Sequence, residues 1–229
     1  ICQAERHYPF DLNRERLCRI RLIKDSNDKD LILLLTMHHS ISDGWSMGIF
    51  FRELVTFYQA FKNKMPLELT PLPIQYRDYS HWQKQVLQGD LLEKQLNYWR
   101  EELNGLPPLL TLATDRPRPL EQSFRGRNQN VYLPETLLKD LHQLCREQGV
   151  TLYMTLLSGF FVLLSRYSGQ ADLAIGSPIA NRMRKETEGL IGFFANTLVM
   201  RADLTTQPSF IELLQQIRTK ALQAYDHQD

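Results

Sequence analysis

The apolar residues of this chain change from a strand-like to a helical spacing, and this change is the sequence feature that most limits the possible folds. Cys18, Ile20 and Leu22 alternate with arginines, as in a strand with one buried face. Residues 31–35 are apolar without alternation, which predicts a strand covered on both faces. A turn at 25–28 would join the two strands into a hairpin. From Ser46 the spacing becomes helical, and a predicted stripe faces a core: Phe50, Leu54, Phe57, Tyr58 and Phe61.

The rest of the chain continues the mixture, so the sequence predicts an α/β (mixed α+β) fold. Residues 74–103 predict two helices that break at Gly89 and Asp90. The other predicted elements are a strand at 130–133, a helix from Pro134 to Gly149, a fully buried helix over 152–167 capped by Thr151, strands at 171–176 and 197–201, and an amphipathic helix over 210–225.

A proline-rich segment, 104–128, separates the two halves of this pattern. Its prolines at 107, 108, 117 and 119 remove backbone donors and disfavour both helix and central strand. We therefore expect a crossing between two structural parts. The predicted organisation is 1–105, a crossing at 106–128, and 129–229.

Charge and cysteine content narrow the functional classes. With 27 basic and 26 acidic side chains the net charge is +1, so no overall field favours a nucleic acid or an anionic membrane. Cys2, Cys18 and Cys145 are widely spaced, which argues against a disulfide framework or a zinc site. The first ten residues lack the basic-then-apolar pattern of a secretory leader, and no apolar stretch reaches the length that spans a membrane. A cytoplasmic protein with no nucleic-acid or membrane partner is expected.

Two histidines, an aspartate and a glycine follow the second strand, at His38, His39, Asp43 and Gly44. Neighbouring strand side chains point to opposite faces, so only one imidazole can enter a pocket and accept a proton there. The aspartate could orient the loop by pairing with an arginine, and the glycine could allow a tight turn. Core histidines beside an N-cap aspartate explain the spacing equally well. A metal site is disfavoured because adjacent histidines diverge.

Four segments, in order along nearly the whole chain, resemble motifs of one family, the condensation domains of non-ribosomal peptide synthetases. The segments are MHHSISDGWS at 37–46, which resembles HHxxxDG; YRDYSHW at 76–82, which resembles Y-x-D-[FY]-x-x-W; IGFFANTLVMR at 191–201, which resembles IGxFVNT; and HQD at 227–229, which resembles the start of HQDxPFE.

The resemblance implies two chloramphenicol-acetyltransferase-like lobes in a V, with the HHxxxDG loop in a tunnel between them. Residues 1–105 would be the C-terminal part of the N-lobe, and residues 129–229 would be the first part of the C-lobe. It implies amide formation between a donor acyl or peptidyl thioester and an acceptor aminoacyl thioester, with L-to-L condensation the expected subtype. Donor and acceptor peptidyl carrier proteins and an adjacent adenylation domain are the implied partners. The carriers would supply phosphopantetheine arms, and no cofactor is expected to bind the domain directly. The family's first motifs and everything after HQD are missing, so we expect an internal fragment that is inactive alone.

The resemblance also assigns roles to individual residues. His39 matches the histidine associated with catalysis, as a base or a positioning group, and His38 the structural one. Asp43 would hold the loop through an arginine expected in the missing N-terminal segment, and Gly44 would keep the loop compact. The implied tunnel residues are Asn196, Trp45 and Ser42.

Two other functions remain open from sequence. One is a coenzyme-A-dependent acyltransferase of the same superfold, and the other is a non-catalytic domain that recruits carriers or other partners. Tyr76, Asp78 and Trp82 are interpreted as aromatic anchors and a helix cap. Asn196 fits a buried amide bonded to backbone as well as a substrate contact.

Overall fold

The computed structural model describes residues 2–24, 30–124 and 126–229, so the turn predicted at 25–28 lies outside the described residues. Both helices and strands occur in these ranges, which confirms the mixed α/β class. The elements are α1 Cys2–His7, β1 Cys18–Lys24, β2 Leu31–Met37, α2 Gly44–Asn63, α3 Tyr76–Val86, α4 Gly89–Glu102, α5 Glu135–Gln148, α6 Leu152–Ser168, β3 Asp172–Ile179, β4 Asn196–Asp203 and α7 Phe210–Asp226.

The chain divides into two compact units. The first comprises Ile1–Gln88 and Ile179–Asn196, and the second comprises Gly89–Pro178 and Thr197–Asp229. The proline-rich segment forms neither helix nor strand in its described residues, as predicted, and it lies inside the second unit. The division into 1–105, 106–128 and 129–229 does not coincide with these units, and the lobe boundaries stay a prediction.

β1 and β2 form the predicted antiparallel hairpin, with Cys18 opposite Met37. The predicted burial is wrong, because Leu22 is 68% exposed and Leu31 is 66% exposed. The two strands make a sheet of their own, and nothing in the described chain covers these side chains. Apolar spacing fixes which side chains share a face, but it does not supply the layer that covers them.

α2 begins at Gly44, two residues before the predicted start, and its buried face differs from the prediction. Ser46 and Ile49 are the buried residues of this helix. Tyr58 and Phe61, which end the predicted stripe, are 65% and 80% exposed. The first turns of α2 therefore pack within the first unit, and its last turns project an apolar face.

The core of the second unit lies where α6 packs against α5 and α7. Both predicted boundaries between α5 and α6 are confirmed: Gly149 ends α5 with φ 64°, and the Thr151 hydroxyl caps α6 at 3.2 Å from Met154 N. Burial all round α6 is wrong, because only one face is covered and Tyr167 is 72% exposed. The core side chains include Phe161, Leu164, Leu213, Leu214 and Ile217.

Two further observations concern a predicted strand and the length of the helices. The strand predicted at 130–133 is absent, because no described strand pairs with it and Val131 and Tyr132 are at least 80% exposed. Among the described helices none is by itself long and apolar enough to cross a membrane. α5 and α6 have that length and composition only when taken together, and a bend of 104° separates them.

Candidate active site

His38 is built into the turn that follows β2. Its backbone N–H donates to Leu17 O at 2.9 Å. Its ring Nδ1 accepts from Ser40 N at 3.2 Å and lies 2.8 Å from Ser40 Oγ. The ring also meets Phe10 edge-on, with centroids 5.9 Å apart. These contacts cap the short 3-10 turn His39–Ile41 and engage one nitrogen of the His38 ring.

His39, in contrast, is exposed, and among the described residues its ring meets one aromatic ring. Its imidazole meets Phe193 edge-on, with centroids 5.3 Å apart and planes at 83°. Within the described part of the chain, no group hydrogen bonds to the His39 ring. No described group therefore competes with a substrate for either ring nitrogen. The described residues hold no cluster of three His, Cys, Asp or Glu side chains able to bind a metal ion.

Asp43 is buried, and both of its carboxylate oxygens are engaged. Oδ1 accepts from Ser46 N at 2.8 Å and from Ser46 Oγ at 2.7 Å, which caps α2. Oδ2 accepts from Phe194 N at 3.0 Å. Burial alone raises the pKa of Asp43, but the hydrogen bonds from Ser46 and Phe194 and the charge of Arg182 outweigh it, so the pKa lies below its ordinary value. Asp43 is therefore an ionised anchor.

Arg182 is the arginine that pairs with Asp43, and it lies within this chain. Its Nη2 is 3.2 Å from Asp43 Oδ1 and 3.0 Å from Ser46 Oγ. Its Nη1 donates to the carbonyls of Thr187 and Leu190 at 2.5 and 2.8 Å. The expectation that this arginine lies in a missing N-terminal segment is wrong. No local pattern signals the pairing, because 139 residues separate the partners and Arg182 stands in an ordinary polar run.

Ser46 joins the histidine loop to the segment Ile191–Phe194. Its hydroxyl is fully buried and accepts from Gly192 N at 3.1 Å. The same hydroxyl lies 2.8 Å from Gly192 O, so its one proton is shared between that carbonyl and Asp43 Oδ1. The sequence prediction missed Ser46, because Gly192, the residue that its hydroxyl bonds, lies 146 residues away along the chain.

α3 holds the same segment from another side. The Tyr76 hydroxyl donates to Phe193 O at 2.7 Å, and the rings of Tyr76 and Tyr79 lie 5.0 and 4.7 Å from the Phe194 ring. Asp78 accepts from Gln75 N at 2.8 Å and closes the capping box of α3. The contacts of Tyr76 and Asp78 fit the anchor and cap predicted from sequence. Trp82 is an anchor as well, with the Arg184 guanidinium 4.2 Å above its ring.

The predicted tunnel residues have varied surroundings. Trp45 is half exposed and donates from Nε1 to Glu188 O at 2.9 Å. Ser42 is buried at the end of the 3-10 turn, and Asn196 is exposed at the start of β4. Their part in a tunnel stays a prediction.

The conformational reason given for Gly44 is wrong. Gly44 is the first helical residue of α2, it is not among the positive-φ residues, and an added Cβ meets nothing within 4 Å. Glycine is required instead at Gly192, where an added Cβ lies 2.6 Å from Tyr76 Cε2 and closer still to Cδ2. The Tyr76 ring cannot move away without breaking its bond to Phe193 O.

Gly192→Ala is therefore expected to lower the free energy of unfolding by about 1–3 kcal/mol, the usual range for overpacking. Urea denaturation of the purified chain measures the loss. Gly48→Ala is the matched control, because Gly48 lies in α2 with nothing within 4 Å of the added Cβ. The control should be neutral or stabilising, since alanine favours helix over glycine. Equal stability of the two variants would contradict the proposed clash.

Sequence comparison places these residues in a known family. The family model described as "Condensation domain" matches residues 1–229. A linear gramicidin synthase of Brevibacillus parabrevis is 51% identical over 221 residues, covering 96% of this chain and 3% of that protein. Phosphinothricin tripeptide synthetase PhsC of Streptomyces viridochromogenes is 42% identical over 229 residues, covering 100% of this chain and 21% of that protein. The chain thus spans a small part of these relatives.

Solved structures agree with the family model. The X-domain from teicoplanin biosynthesis superposes with a TM-score of 0.88 at 29% identity, over 98% of this chain and 51% of that one. The first condensation domain of the CDA synthetase has a TM-score of 0.78 at 19% identity, over 99% of this chain and 50% of that one, and shows the fold alone. The predicted fold family is confirmed. Because the family model spans every residue, the chain belongs to the condensation-domain family.

Proposed function

We propose that the domain containing this chain forms an amide bond between a donor acyl or peptidyl thioester and an acceptor aminoacyl thioester. The observation that carries this proposal is the contrast between the two histidines. His38 is engaged in the turn, whereas no described group hydrogen bonds to the His39 ring. Asp43, four residues after His39, is buried and has both carboxylate oxygens hydrogen bonded. An imidazole with no hydrogen bond to the protein can accept or donate a proton near neutral pH.

In the proposed reaction the acceptor α-amine attacks the donor thioester carbon. A C–N bond forms, the C–S bond breaks, the sulfur leaves as a thiol, and the nitrogen loses a proton. A free α-amine has a pKa of about 7.7–8.0, so a sizeable neutral fraction exists without help. His39 either accepts the proton from the attacking nitrogen or orients it, and both roles stay open. Asp43 does not move a proton, because its oxygens are engaged in holding the loop.

The proposal includes the partners expected from the sequence. Both reactants would ride on phosphopantetheine arms of peptidyl carrier proteins, next to an adenylation domain, in a cytoplasmic synthetase. A 25% identical neighbour with a TM-score of 0.83 is a four-domain non-ribosomal peptide synthetase, which supports such an arrangement. L-to-L condensation is the proposed subtype.

Tethering of the substrates tests the proposal. In the synthetase module that contains this chain, product should form only when both substrates are loaded on phosphopantetheinylated carriers, with mass spectrometry as the readout. Free thioesters should react at least about a hundredfold more slowly, because the carriers hold the reactants at high effective concentration. Equal turnover of free coenzyme A thioesters would favour the alternative acyltransferase.

Partner recruitment without chemistry is a second candidate. A neighbouring structure at 30% identity and a TM-score of 0.88 is a complex of the teicoplanin X-domain with OxyB. A recruiting domain would bind a partner protein equally well with and without the His39 imidazole, and it would yield no amide product from any pair of loaded carriers.

A further inference from the structure

The orientation of the His39 imidazole depends on packing. No described group hydrogen bonds to this ring, whereas His38 has Ser40 at its Nδ1. A reactive imidazole is commonly oriented through a hydrogen bond to its second nitrogen. At His39 the edge-on contact with Phe193 replaces this hydrogen bond, with ring centroids 5.3 Å apart and ring planes at 83°. Edge-to-face contact is a preferred and directional aromatic geometry.

The backbone that carries Phe193 is held at three consecutive residues. Gly192 exchanges hydrogen bonds with the buried Ser46 hydroxyl. The carbonyl of Phe193 accepts from the Tyr76 hydroxyl at 2.7 Å. The N–H of Phe194 donates to Asp43 Oδ2 at 3.0 Å. Hydrogen bonds thus hold the backbone on both sides of Phe193, although Phe193 itself is 43% exposed.

The two ends of the contact share one anchor. Asp43 caps α2 four residues after His39 and also holds the backbone one residue after Phe193. Arg182 bonds to the Asp43 carboxylate and to the Ser46 hydroxyl, so it supports both segments. The distance between the His39 and Phe193 backbones is therefore set by one buried network.

We propose that Phe193 is a positioning residue that fixes the imidazole of His39 for amide formation. This inference rests on the proposed function. The recorded contact between Phe193 and His39 is ring to ring, so the aromatic side chain of Phe193 would determine which orientation of the imidazole is stable. A leucine at this position keeps an apolar group but loses the directional contact, whereas a tyrosine keeps the ring.

The test compares Phe193→Leu with Phe193→Tyr in the synthetase module that contains this chain, using carrier-loaded substrates. We expect Phe193→Leu to lower kcat roughly ten- to hundredfold, since small displacements of a catalytic group have effects of this size. KM for the loaded carriers should stay within about twofold, and Phe193→Tyr should retain most of the rate. Phe160→Leu is the matched control, because Phe160 is 46% exposed and lies on α6.

The results separate this inference from the proposed function. An unchanged kcat in Phe193→Leu, or an equal loss in Phe193→Tyr, overturns the positioning role while leaving amide formation intact. A lower melting temperature without a lower kcat in the folded fraction also overturns it. If His39→Ala retains the full rate, the proposed function itself is refuted. Any effect of Phe193→Leu on the rate would then not act through His39.

Discussion

Replacing His39 with alanine should lower the rate of amide formation by about 10²–10⁴-fold, the usual contribution of a positioned acid–base group. The structure gives the reason, since the exposed imidazole keeps both nitrogens available. The fold should survive, because within the described ranges the exposed side chain meets one aromatic ring and caps no helix. The measurement is single-turnover product formation from two loaded carriers in the parent module.

His142→Ala is the matched control for this substitution. His142 is an exposed histidine of α5, in the second compact unit, and its loss should leave the rate unchanged. Circular dichroism of both variants should match the parent protein. Product formation by His39→Ala at the parental rate would refute the proposed chemistry, and a comparable loss in both variants would point to a general defect.

Arg182→Met should lower the free energy of unfolding by about 3–5 kcal/mol, because it leaves the Asp43 carboxylate buried without its cation. The side chains of this ion pair are only 1% and 2% exposed. The substitution also removes the bonds that Arg182 donates to Thr187 O and Leu190 O. Urea denaturation at neutral pH measures the loss.

An exposed ion pair provides the contrast. Arg77 lies 3.7 Å from Asp78, and their side chains are 89% and 49% exposed. Arg77→Met should cost at most about 1 kcal/mol, as is typical of surface pairs. A double variant with Asp43→Asn and Arg182→Met should lose less than the sum of the two single losses. Additive losses, or a cost at Arg182 no larger than at Arg77, would show that the buried pair is not coupled.

The same pair predicts an acid dependence of stability. The folded pKa of Asp43 is below its ordinary value of 3.8, despite the opposing effect of burial. The contribution of Asp43 is therefore complete above that value and is lost as the pH falls through the lower, folded pKa. Unfolding measured from neutral pH down to acid should show a smaller loss in Asp43→Asn than in the parent chain. Parallel curves would contradict the lowered pKa.

Local sequence determined the elements and the position of the loop. The spacing of the apolar residues located β1, β2 and α2, and the turn and cap residues located the ends of α5 and α6. Both kinds of signal depend on neighbours within about four residues. The residues 38–44 could be singled out because reactive side chain types follow a strand there. Their resemblance to a family identified the chemistry to expect.

Burial and the supporting network were decided by the tertiary structure. The apolar side chains of β1 and of the end of α2 are exposed. The spacing of apolar residues determines which of them share a face, but it does not determine whether another element covers that face. Arg182, Ser46 and Gly192 became visible only when segments more than 130 residues apart met. A buried charge pair is specified by the geometry of folding, because its energy depends on distance and desolvation, and neither can be read from position along a chain.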